Sequence, residues 1–143
     1  MNAIALILKE QQALQAIKDK EKREAEAKTA REKAAFDATG IPNMFDQIKH
    51  IKVKHWRDSS AEQITLEEHV KTRDDSTLRL LDLNGNAGVG WFTRETNQGA
   101  MDYHVVYDSR GTQSFREPDA LTRAFVSHMA KFLPDLSAFE AKE

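Results

Sequence analysis

Cysteine is absent from this 143-residue chain, which excludes disulfides, thiolate-ligated zinc and thiol chemistry and is compatible with a reducing compartment. Proline and glycine are scarce, at three and six residues, and neither occurs before Gly40. There is also no long apolar run. The longest, Ala3–Leu8 in "MNAIALILKEQQ", falls far short of the roughly 20 apolar residues that a membrane span needs. No basic residue precedes that run and no small-residue cleavage site follows it, so cytoplasmic residence without a membrane span is expected. Neither sign of charge dominates. Lys and Arg number 21 against 23 Asp and Glu, a formal net charge of −2, so any attraction to a polyanion must come from a local patch.

Up to Thr39, Ala, Glu, Lys, Gln, Arg and Leu dominate, side chains that lose little freedom in a helix. One continuous helix of roughly 55 Å is predicted over 1–39, at 1.5 Å per residue. Gly40 suits a left-handed cap and Pro42 cannot extend the helix, so the stop is well marked. The first turns are apolar on every side. Ile4, Leu6, Ile7, Leu8, Leu14 and Ile17 need shelter against another surface, and the most economical one is the same helix in a second copy. Folding of this tip back onto the chain's own sheet is the alternative.

"KDKEKRE", residues 18–24, carries no apolar side chain. A strict heptad seam through Ile7, Leu14 and Ile17 would place Glu21 and Glu24 in its core, which a tight two-stranded coiled coil resists. Pairs at i,i+4 spacing (Asp19 with Arg23, Lys20 with Glu24, Lys22 with Glu26, Glu24 with Lys28) would instead support a solvated helix.

Beyond Gly40 the period changes, and 40–143 is expected to form a compact α+β domain. "PNMFDQI" is a short helix opened by Pro42. "QITLEEHVK" alternates Ile64, Leu66 and Val70 against Thr65, Glu67 and His69 and is expected as a strand. "RDDS", "NGNAG", "ETNQG" and "SRG" are turns between "TLRLLDL", "VGWFTR", "MDYHVVYD" and "TQSFR". Such punctuation marks an antiparallel meander of about four or five strands. A last helix starts at Pro118, with Leu121, Ala124, Phe125, His128 and Phe132 as its apolar stripe, and Pro134 ends it. The expected fold is therefore a long N-terminal helix followed by a small meander packed against a C-terminal helix.

"IKHIKVKHWR", residues 48–57, holds four cations, two imidazoles and an indole without a carboxylate. As a helix it would put Phe45, Ile48, Ile51 and His55 on one side and leave the lysines wet. As a strand it would turn Ile51 and Val53 inward and align Lys52, Lys54 and Trp56 outward. An exposed aromatic among cations can stack a base and neutralise its phosphates, but no nucleic-acid-binding motif accompanies the run.

Catalytic signatures are missing. "DLNGNAG" begins like a calcium loop with Asp82, Asn84 and Asn86, yet Ala87 stands where the loop needs glycine and no glutamate closes it. "GNAGVG" has the wrong spacing for a dinucleotide fingerprint. None of His50, His55, His69, His104 and His128 forms a close ligand pair, and the one grouping with acid–base potential is His69, His104 and Asp102. No catalytic residue, metal or cofactor is expected.

The leading expectation is a non-catalytic interaction protein in an accessory, inhibitory or assembly role. It would form homo-oligomers through Ile4, Leu6, Ile7, Leu8, Leu14 and Ile17. It would meet an unidentified protein target through the meander or through Lys49, Lys52, Lys54, Trp56 and Arg57, with Trp56 or Trp91 as an aromatic anchor. The second reading is a nucleic-acid-binding accessory protein that uses the same basic segment.

Overall fold

The computed structural model of the chain describes residues 2–57, 60–82, 87–107 and 111–137, without the side chains of residues 54–57, 60–62 and 87. It divides into two compact units, residues 1–31 and 32–143. The first is helical from Ala3 onward and belongs to α1 (Ala3–Ala38), whose last turns form part of the second unit. None of the four i,i+4 pairs expected between Asp19 and Lys28 closes into an ion pair among the described residues. Fully solvated side chains gain too little from the contact to hold one geometry. The spacing is used instead by Gln15 with Asp19, at 3.0 Å, and by Lys33 with Asp37, at 2.7 Å.

The second unit starts with the end of α1. Glu32 and Phe36 are buried there, and the helix stops where the sequence says it should. Gly40 takes φ 78°, the left-handed region open to glycine. The neighbouring corner is stitched by Thr39. Its hydroxyl donates to the Phe36 carbonyl at 2.6 Å and accepts from the Ile41 N–H at 3.2 Å. α2 (Ile41–Ile48) follows at once, with Pro42 in its first turn, where a missing N–H costs nothing.

β1 (Lys52–Arg57) and β2 (Ser60–Thr65) pair antiparallel as a separate two-stranded sheet. The expected single strand across 63–71 is interrupted: Leu66–His69 form a 3₁₀ turn before β3 (Val70–Asp74). A reciprocal cap sets this break. The Thr65 hydroxyl accepts from the Glu68 N–H at 3.3 Å, while the Glu68 carboxylate accepts from the Thr65 N–H at 3.2 Å. Residues three apart eclipse in a 3₁₀ turn, so Leu66 and His69 are buried together instead of on opposite sides.

β3, β4 (Thr77–Leu81), β5 (Ala87–Glu95), β6 (Met101–Tyr107) and β7 (Gly111–Phe115) form a five-stranded antiparallel sheet in chain order, and α3 (Pro118–Phe132) closes the domain. The α+β architecture is the one expected. Pleating puts alternate side chains on one side of the sheet: Leu78 and Leu80 from β4, Val89, Trp91 and Thr93 from β5, and Val105 from β6. Register aligns Leu78 with Trp91 and Trp91 with Val105. Phe36, Ile41 and Phe45, together with Leu121, Phe125 and Met129 of α3, complete this core. Each such side chain contributes about 1.5–3 kcal/mol on removal from water.

Candidate functional site

Trp91 lies at the centre of that core, with none of its surface exposed. Its ring meets Phe125 edge-on at 4.9 Å and His128 at 5.5 Å. His128 stacks on Phe132 at 5.4 Å, and Phe132 meets the edge of His69 at the same distance. This aromatic run joins β5, α3 and the 3₁₀ turn. Two expectations change as a result. Trp91 is a core residue and cannot anchor a target at the surface. His69 is enclosed on the helix-bearing side of the sheet.

His104 is on the other side. It stacks on Phe92 at 4.7 Å and 19°, and strand alternation sends Phe92 away from Trp91. The grouping of His69, His104 and Asp102 is therefore not assembled, although Asp102 and His104 share a side of β6. His104 Nδ1 is 2.7 Å from the Ser114 hydroxyl. Partial burial holds its pKa below the ordinary value; the Asp102 carboxylate opposes this and the Arg94 guanidinium adds to it. Arg94 lies over the Phe92 ring at 5.0 Å and donates to Ser76 Oγ, the Thr93 carbonyl and Thr77 Oγ1. This side of the sheet is thus a polar–aromatic surface on which the Arg94 cation is fixed in place.

Of the two conformations expected as alternatives for the basic segment, the strand is the one found, because the helix ends at the segment's first residue. α2 runs to Ile48, and the strand starts at Lys52. Ile51 and Val53 are buried and Lys52 is exposed, as the strand pattern requires. Lys49 is half-buried and 3.8 Å from Asp46, which also accepts from Arg73 at 2.8 Å. Asp46 precedes the carboxylate-free run by two residues, so part of the basic charge is neutralised from within the fold. Lys54, Trp56 and Arg57 are residues of β1 whose side chains lie outside the described ones.

An apolar groove of about 280 Å³ lies between α2 and α3, with Met44, Ile48, Val126 and Met129 in its walls; sequence periodicity alone gave no sign of it. Among the described residues, no cluster of three or more His, Asp and Glu is placed to hold a metal ion. Asn84 and Asn86 of the calcium-like stretch lie outside them. No described helix is long and apolar enough to cross a membrane.

In the first unit, all six of the apolar residues singled out in the sequence are exposed, from 50% at Leu8 and Leu14 to 78% at Ile4. Viewed down a helix of 3.6 residues per turn, Ile4, Ile7 and Leu14 fall on one side, with Leu6 and Ile17 adjoining. Searches against protein families, curated proteins and solved structures found no match to this chain.

Proposed function

We propose that this chain is a non-catalytic interaction protein that assembles with further copies through α1 and binds a protein target with its α+β domain. The observation that carries this reading is the exposure of Ile4, Leu6, Ile7, Leu8, Leu14 and Ile17 on one rigid element. Side chains of this kind regain about 1.5–3 kcal/mol each when covered, and one helix can cover another. The target-facing surface is the β1 segment with Lys49, Lys52, Lys54, Trp56 and Arg57, or the open side of the sheet around Phe92 and His104.

The test is the mass in solution of the intact chain against a variant carrying Ile4→Lys, Ile7→Lys and Leu14→Lys. The wild type is expected to self-associate and the variant to lose that association with its helical content unchanged. Equal masses for both proteins would refute assembly through α1. Binding to DNA or RNA that weakens steeply with salt and depends on Lys52 and Lys54 would replace the protein target with a nucleic acid.

A further inference from the structure

The two edges of the five-stranded sheet differ. β3, at one edge, carries Lys71, Arg73 and Asp74, all exposed, and its register with β4 shifts between Val70 and Thr72. Charges and bulges of this kind block the approach of another strand. Arg73 is further occupied by Asp46 and by the Phe45 ring, 5.1 Å away. β7, at the other edge, has none of these devices. "GTQSF" contains no charge and no proline, pairs with β6 without a register shift, and is exposed from Gly111 to Ser114. Among the described residues, the backbone of Gly111–Phe115 makes no hydrogen bond outside its ladder with β6.

We propose that β7 is a pairing edge for a second copy of this chain, the two β7 strands meeting antiparallel about a two-fold axis at Gln113. The side chains fit that register. Pairing with Tyr103, Val105 and Tyr107 puts Phe115, Gln113 and Gly111 on the core side, and pairing with His104 and Val106 puts Ser114 and Thr112 on the open side. Antiparallel self-pairing centred on Gln113 sets each Phe115 opposite the other copy's Gly111, where no side chain competes for the space. Each Thr112 faces a Ser114, a hydroxyl pair that stabilises a sheet, and the two Gln113 amides face each other. No like charges oppose within the paired strands. The contact is isologous, so it closes on itself as a dimer.

Five residues per copy bury less than the ~1,200–2,000 Å² of a lasting interface, so the pairing is weak alone and gains from any second contact between the same chains. It uses a different unit from the α1 residues and does not depend on them.

The test uses the full-length chain in two backgrounds, wild-type α1 and the Ile4→Lys/Ile7→Lys/Leu14→Lys variant, with dimerisation followed by sedimentation. Gln113→Lys and Gln113→Glu, at an exposed position, each place like charges at the axis. Each is expected to weaken dimerisation about three- to fivefold, and an equimolar mixture of the two to restore it. Thr112→Lys mixed with Ser114→Glu checks the register independently and should also associate better than either alone. A monomer at every concentration in the α1 variant background, or a dimer indifferent to charge at position 113, overturns the β7 interface and leaves assembly through α1 standing. A charge-sensitive dimer of equal strength in both backgrounds supports β7 and removes α1 from assembly.

Discussion

The carboxylate of Glu32, in α1, accepts a hydrogen bond from the backbone N–H of Glu95, in β5, at 2.9 Å. The Glu32 carbonyl also accepts from the Thr93 hydroxyl at 2.6 Å, and both Glu32 and Thr93 are buried. An acidic side chain in a helix of alternating charges thus ties the helix to the sheet. Glu32→Ala leaves the Glu95 N–H without this acceptor and is expected to cost about 1–3 kcal/mol in urea unfolding. Glu32→Gln keeps a carbonyl oxygen and should cost less. An equal loss for both would show that charge, not the acceptor, matters.

Trp91 gives a second expectation. Its Nε1–H is buried with no hydrogen-bond acceptor among the described residues. Trp91→Ala is expected to cost about 3–5 kcal/mol for the lost contacts and the cavity. Trp91→Phe should cost about 1–2 kcal/mol, because the smaller ring also removes an unpaired donor. Denaturant midpoints separate the two.

Stability should depend on histidine protonation. Burial lowers the pKa of His128, with the Lys131 ammonium adding to the shift, and burial likewise lowers that of His104. A lowered pKa means that the unfolded chain binds the proton more readily. The full stability is therefore present above the ordinary value of 6.5 and is lost as pH falls through the lowered folded values. Unfolding midpoints followed downward from neutral pH should show this loss, and His128→Gln should flatten the curve. An unchanged slope in that variant would place the dependence elsewhere.

Gly88 marks a close backbone approach. A β-carbon there would lie 2.9 Å from the Asp82 nitrogen, a contact that only backbone movement relieves. Gly88→Ala is expected to destabilise the domain by about 1–3 kcal/mol, whereas Gly99→Ala meets no neighbour but must hold φ 83°. Thermal melts of the two separate packing from backbone strain.

Much of the fold could be read from composition and period. The long helix follows from an uninterrupted run of helix formers, its end from Gly40 and Pro42, and the meander from turn residues between alternating strands. The breaks were harder to read. "TLEE" carries a capping signature, but the alternation of Ile64, Leu66 and Val70 imitates a strand and conceals it, and with it the 3₁₀ turn and the burial of His69. The basic segment fits both periods because its apolar residues Ile48, Ile51 and Val53 suit either spacing, and only the end of α2 at Ile48 decides for the strand. Trp91 shares its side of β5 with Val89 and Thr93, an alternation that already points inward. Glu32 offers no local sign of burial, since its partners lie 61 and 63 positions away. Asp46 reaches Arg73 only in three dimensions.

Strand order that follows chain order also fixes how this domain comes together. Each neighbour in β3–β7 is joined through a short connection, so the hairpins close with little loss of chain entropy. The bonds from Thr93 and Glu95 to Glu32 and from Thr122 to Thr39, separated by 61, 63 and 83 positions, all converge on the end of α1 and the corner after it. Local pairings form fastest and distant ones slowest. Seating that helix end is therefore expected to come late in folding.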